Sequence, residues 1–293
     1  MKKIVIVNVL TFLLLTCKQE SPELEKVNEK NMNTVVTKQS KRIKGTQGYL
    51  YVVESGKGNM PVIFLHSFGG NSSHWEYQMD QLDETRRVVA FDFRGHGNSD
   101  NPANEDYSAE ALSKDLEMVV NSLGMGRFVL VGHSMGGTAA AAYAGKYPDR
   151  VAGLVLVGTP GKSDEKQAMA VIASLESEQY QQVMDDYMHQ LLEDAKPEVD
   201  SAIMRGIGKI SRNASIDIIK SIFAYDPTPS IKNYTGPVLI ISTSREEKNP
   251  ASLHHQLPEV PVETIDGTSH WVQMDKPDEF NEILDGFLDT VRY

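Results

Sequence analysis

Two hydrophobic rhythms alternate along most of this chain. Short aliphatic or β-branched runs at residues 61–66, 87–92, 128–131, 151–157, 237–242 and 260–265 are bounded by Gly, Pro, Asn or Asp, the signature of buried strands. Between them lie segments with helical spacing. Ser108 is placed to cap a helix running to Leu123, with Leu112, Leu116, Val119, Val120 and Leu123 as a single apolar stripe. Residues 138–144, rich in alanine, favour a helix slim enough to pack closely on a sheet, and a C-terminal helix starts near Pro277. Residues 48–56 read as one arm of an antiparallel hairpin at the sheet edge. Strand and helix in alternation predict the α/β class, a doubly wound and mostly parallel sheet.

The rhythm stops between 162 and 230. Met169, Ile172 and Leu175, then Val183, Met184, Tyr187 and Leu191, then Ile203, Met204 and Ile207, then Ile218, Ile219, Ile222 and Phe223 follow helical spacing with no strand among them. A helical insertion over a core made of 43–161 and 231–293 is expected. Its methionines, Met169, Met184, Met188 and Met204, have two readings: packing of helix on helix, or the lining of an apolar pocket. Arg205 reads as a solvated surface arginine, with contact to an anionic substrate as the alternative.

The first 42 residues follow neither rhythm. Met1-Lys2-Lys3 and an apolar stretch at 4–15, broken only by Asn8 and Thr11, have the shape of a secretory leader and are short for a membrane span. Leu14-Leu15-Thr16-Cys17 resembles a bacterial lipoprotein signal, which implies lipidation at Cys17, although Thr16 stands where Gly, Ala or Ser is usual. The resemblance implies a lipid-anchored protein of the bacterial cell envelope; a secreted or periplasmic protein with a leader cut elsewhere and an uncut membrane anchor are the alternatives. Residues 18–42, polar and charged, then form a flexible tether.

Composition narrows the chemistry. The 293 residues carry a net charge of −11, with no Lys/Arg-rich face to attract nucleic acid. A single cysteine allows no intrachain disulfide, no Cys-based zinc site and no cysteine nucleophile in the folded part. Gly95-His96-Gly97 is followed by no Walker lysine, so a turn is expected rather than a nucleotide site, and neither cofactor nor metal is called for.

The candidate chemistry centres on Gly132-His133-Ser134-Met135-Gly136, set between an apolar strand and the alanine-rich helix. A serine on a tight strand-to-helix turn, bracketed by glycines because a Cβ would collide with its neighbours, is a nucleophile elbow. His66-Ser67-Phe68-Gly69-Gly70 followed by serines and Trp75, and Asp92-Phe93-Arg94-Gly95-His96-Gly97-Asn98-Ser99, together with the elbow, resemble the α/β-hydrolase superfamily in its serine-nucleophile, capped, esterase/lipase-like branch. The resemblance implies that backbone N–H groups of Phe68 and Met135 form an oxyanion hole and that His270, between the last strand and the last helix, is the general base. It puts the triad acid after the 237–242 strand, at Glu246, with Glu247 or Asp164 as alternatives. Ser67 stands where the family carries glycine, which would cost energy wherever a positive φ is required, and Thr243 likewise replaces a glycine. His66, Asp92 and His96 read as scaffolding. A serine at the elbow excludes the dehalogenase and epoxide-hydrolase branches, which need aspartate there. What remains is cleavage of a small, apolar carboxylic ester, with a related acyl or C–C reaction (peptidase, thioesterase, perhydrolase) or a non-catalytic ligand-binding envelope protein as alternatives.

Overall fold

The computed structural model describes residues 37–249 and 251–292. The expected leader, Cys17 and the tether up to residue 36 lie outside the described residues. The tether's expected end at 42 does not hold: β1 (Gln39–Lys44) pairs antiparallel with β2 (Tyr49–Ser55) in continuous register from Gln39–Glu54 to Lys44–Tyr49. Only Ile43 of β1 is buried, so its side chains read as a polar linker. Main-chain pairing, and not a side-chain pattern, makes an outermost strand.

β3 (Val62–Leu65) is followed by a short 3-10 turn at Ser72–Trp75 and α1 (Glu76–Leu82), then β4 (Val88–Phe91) and α2 (Ala109–Ser122). Ser108 caps α2 by accepting the Ala111 N–H, as expected. β5 (Phe128–His133) leads into α3 (Met135–Lys146), and β6 (Val151–Val157) closes this half of the core. Four helices occupy the segment without strands: α4 (Glu165–Glu176), α5 (Tyr180–Leu191), α6 (Pro197–Ile207) and α7 (Arg212–Ala224). α8 (Thr228–Asn233) straddles the boundary expected at 230/231. It packs on α3, where Asn233 donates to the Gly145 carbonyl (2.8 Å) and a Cβ on Gly145 would fall 2.8 Å from Ser230.

β7 (Val238–Ser242), the short α9 (Ser244–Glu247) and α10 (Leu253–Gln256), β8 (Val262–Thr264), α11 (Val272–Asp275) and α12 (Pro277–Thr290) complete the core. Among the described residues eight strands form one sheet in the order β1-β2-β4-β3-β5-β6-β7-β8, and every pairing from β4 to β8 is parallel. This is the α/β-hydrolase fold.

Alternate residues of each inner strand serve opposite layers. Ile63 and Leu65 of β3 join a core with Leu112, Leu116 and Ala140, whereas Val62 and Phe64 face Trp75, Met79, Phe280 and Leu284. Burial on both faces explains why these strands read as continuous apolar runs. The loop after β4 is held from within: Arg94, 3 % exposed, donates to the Asp115 carboxylate at 2.6 and 2.8 Å, and Asp92 accepts the Ser72 and Asn98 N–H groups, each at 2.7 Å. Asp92 is thus scaffolding, as expected.

Candidate active site

Ser134 sits between β5 and α3 at φ 52°, ψ −115°, a conformation that costs an L-residue roughly 1–3 kcal/mol. Its N–H donates to the Val157 carbonyl (2.8 Å), pinning the turn to the neighbouring strand. A Cβ on Gly132 would fall 2.5 Å from the Gly136 carbonyl oxygen, and one on Gly136 would fall 2.6 Å from the His66 carbonyl oxygen. Both glycines are therefore obligatory for the closeness of strand, turn and helix.

His270 lies in the loop between β8 and α11. Its Nδ1–H donates to Glu246 Oε1 at 2.6 Å. The other carboxylate oxygen accepts the Thr243 N–H (3.1 Å) and the Ser242 hydroxyl (3.2 Å), while the Thr243 hydroxyl accepts the Glu246 N–H. This is a capping box on α9, with Thr243 as its N-cap. Burial pushes the Glu246 carboxyl up, but the bond to His270, its charge and the Thr243 and Ser242 donors outweigh that and hold it below the ordinary carboxylate range. Thr243, where a glycine was expected, has an extended backbone at φ −108°, and its side chain is what presents Glu246.

Neither alternative acid reaches the imidazole. Glu247 Oε1 accepts from the Thr264 hydroxyl on β8, and Asp164 caps α4 by accepting the Gln167 N–H at 2.9 Å. Gly158, at φ +50°, lies under the pair: a Cβ there would come 2.8 Å from His270 Cε1 and 3.0 Å from Glu246 Oε1.

Ser134, His270 and Glu246 line one cavity of about 320 Å³. No hydrogen bond joins the Ser134 hydroxyl to His270 among the described residues; such contacts are often long before substrate binds. Val171, Tyr187, Leu191, Ile222 and Phe223 give the cavity an apolar wall from α4, α5 and α7. None of the four expected methionines lines it. Met184 and Met188 are buried in the packing between helices, and Met169 (64 % exposed) and Met204 (40 %) face solvent.

The loop carrying Phe68 departs from expectation in a useful way. Ser67 does not take a positive φ; the residue of the turn that does is Gly69 (φ +73°), so the serine carries no backbone penalty. Instead its hydroxyl accepts the Trp271 indole N–H at 3.0 Å, tying the Phe68 loop to the residue after His270. Replacement by alanine strands a buried donor: Ser67→Ala should destabilise the protein by about 1–3 kcal/mol, measured by urea unfolding. Phe68 and Met135 are both buried, in the loop after β3 and at the start of α3. His66 is structural, donating from Nδ1 to the Ser67 carbonyl (2.7 Å) and accepting the Phe93 N–H at Nε2 (2.9 Å). Burial, reinforced by His96, holds it far below the ordinary imidazole range and hence neutral.

Two ties to the His270 loop are not visible in the sequence. His133, inside the elbow motif, donates from Nε2 to the His270 carbonyl (3.0 Å) and accepts from Gln273 at Nδ1 (3.2 Å); burial keeps it neutral. The His270 N–H donates to the Leu191 carbonyl at the end of α5 (2.9 Å), joining the insertion to the candidate base. The only local signal for either was a histidine at the variable position of Gly-x-Ser.

A model of the alpha/beta hydrolase fold matches residues 60–204, from β3 through most of α6. Epoxide hydrolase 3 of Xenopus tropicalis is 28 % identical over 271 residues, covering 81 % of this chain and 74 % of that protein. An sn-1-specific diacylglycerol lipase of Mus musculus is 27 % identical over 264 residues, covering 81 % and 84 %. In backbone, a thermophilic esterase from Thermogutta terrifontis superposes with a TM-score of 0.73 at 24 % identity, over 87 % of this chain and 100 % of that one. Strained serine, parallel sheet and family match agree: the chain belongs to the alpha/beta hydrolase superfamily.

Proposed function

We propose that this hydrolase cleaves small, apolar carboxylic esters through a Ser134–His270–Glu246 triad. The observation that carries the reading is the 2.6 Å bond from His270 Nδ1 to Glu246, two residues that line the same cavity as Ser134. A proton on Nδ1 leaves Nε2 free to take the Ser134 proton as its oxygen attacks the ester carbonyl. The ionised Glu246 then stabilises the imidazolium, and the Phe68 and Met135 N–H groups hold the oxyanion, each worth roughly 3 kcal/mol of barrier. The alcohol departs with the proton from Nε2, and water, activated by His270, releases the acid.

The apolar wall supports an aliphatic acyl group as the part of the substrate that is read. The similarity to an epoxide hydrolase does not carry that activity here, because the elbow holds serine and not the aspartate that branch requires. A series of p-nitrophenyl esters tests the assignment: kcat/KM should rise with acyl length until the 320 Å³ cavity is filled and then fall. Equal rates at every length would remove the cavity from the argument, and no turnover of any ester would remove the activity.

The sequence motif at Cys17 further supports attachment to a bacterial envelope by a lipid. Expressed in a bacterium, the chain should incorporate labelled palmitate, and Cys17→Ser should not.

A further inference from the structure

His270 lies in the loop between β8 and α11, outside any strand ladder or helix, yet the main-chain N–H groups on and around it are all taken. The Ser269 N–H donates to Asp275 Oδ2 (2.9 Å), the His270 N–H to the Leu191 carbonyl (2.9 Å) and the Trp271 N–H to the Ser269 hydroxyl (3.1 Å). That hydroxyl gives its own proton to Asp275 Oδ2 at 2.5 Å. The residues on both sides of His270 thus depend on Asp275, the last residue of α11, directly or through the Ser269 hydroxyl.

The second oxygen of Asp275 reaches the helical insertion. Oδ1 accepts the N–H of Lys196 (2.9 Å), the N-cap of α6, in the short connector that follows Leu191. The end of α5 and its connector to α6 therefore meet the base loop twice, once through the Leu191 carbonyl and once through Asp275. They meet the helix of the acid as well: Arg245, beside Glu246 on α9, donates to the Gln190 carbonyl (3.0 Å) and pairs with Asp194 (3.1 Å).

Asp275 is 1 % exposed, and none of the ion pairs among the described residues includes it; the neighbouring Lys276 pairs with Glu279. A buried carboxylate without a cation is costly, and the three donors converging on this one offset that cost. An asparagine would present one oxygen and one NH2 group, so it could accept from Ser269 or from Lys196 but not from both. Closing a turn would need only the amide; joining the base loop to the insertion needs both carboxylate oxygens.

We propose that Asp275 is a positioning residue for the reaction: with one oxygen on Ser269 and the other on the α5–α6 connector, it fixes the direction in which the His270 imidazole meets Glu246 and Ser134. The proposal rests on His270 acting as the base. Asp275 does not line the cavity, so it acts through His270 and not on the substrate. Misplacing a reacting group by about 1 Å can cost roughly a hundredfold in rate, which is the scale on which such a tether matters.

The test compares Asp275→Asn, the milder Ser269→Ala and a remote control, Ser55→Ala, which removes a buried hydroxyl bonded to Asp83 (2.7 Å). Each is followed by kcat and KM on a p-nitrophenyl ester, by the melting temperature, and by the proton resonance of His270 Nδ1–H without substrate. Asp275→Asn should lose roughly tenfold or more in kcat at a temperature where it is folded, with KM within about twofold of the parent, and the Nδ1 proton should shift or broaden as its bond to Glu246 loosens. Ser269→Ala should lose about threefold or more in kcat and move that resonance in the same sense. Ser55→Ala should lower the melting temperature alone. Should Asp275→Asn not fold, Ser269→Ala decides. A folded Asp275→Asn, or Ser269→Ala, with the parent's kcat and resonance would overturn the proposal, as would an equal loss of kcat in Ser55→Ala. If the parent cleaves no ester, the ester reading falls, and the Nδ1 resonance, which needs no substrate, still decides whether Asp275 orients His270.

Discussion

Ser134→Ala is expected to lower ester turnover by roughly four to six orders of magnitude, the loss seen when a triad nucleophile is removed and only the oxyanion donors and binding remain. The fold should survive, because the strain at φ 52° belongs to the backbone, and the turn is held by the Val157 carbonyl and by the closeness of Gly132 to Gly136. Alanine is tolerated as well or as badly as serine at that φ. The measurement is kcat on a p-nitrophenyl ester beside labelling by a fluorophosphonate, with the melting temperature as a control. Parent protein should label at Ser134 and the variant should not. A variant that keeps its turnover would show that another nucleophile does the work; a parent that neither labels nor turns over would leave a ligand-binding protein on a hydrolase fold.

The second large effect separates two adjacent glutamates. Glu246→Ala should reduce kcat by roughly three to four orders of magnitude, the range for loss of a triad acid that orients the imidazole. The carboxylate that would be lost accepts the His270 Nδ1–H and is kept ionised by that bond together with the Thr243 and Ser242 donors. Glu247→Ala removes only a contact to Thr264 and should leave kcat within a few-fold of the parent. Single-turnover kinetics on both variants decide the matter, and the reverse ranking would transfer the acid's role to Glu247. Because Glu246 also closes the capping box of α9, Glu246→Gln is the better probe of charge alone: it keeps an oxygen for Thr243 and loses the ion.

Much of this was legible along the chain. The inner strands and the helix capped by Ser108 follow from side-chain period and turn residues, which are local properties. The elbow was legible for the same reason, since a glycine at each side of Ser134 is demanded by the turn itself. β1 escaped notice because an edge strand with one buried side chain leaves no hydrophobic pattern to read. The methionines of the insertion were ambiguous because helical spacing gives a face but not what that face meets: Met184 and Met188 met other helices, Met169 and Met204 met water.

The sequence by itself determined the class of fold, the order of its inner strands and the position of the strained serine, because periodicity, capping and glycine sterics act within a few residues. Only the tertiary structure decided which glutamate meets His270, since neighbouring residues in a helical turn point about 100° apart and the direction of the imidazole comes from a distant loop. It alone gave Ser67 its purpose, through a tryptophan 204 residues away. Contacts of that range are set by how sheet and helices pack, and no local pattern records them.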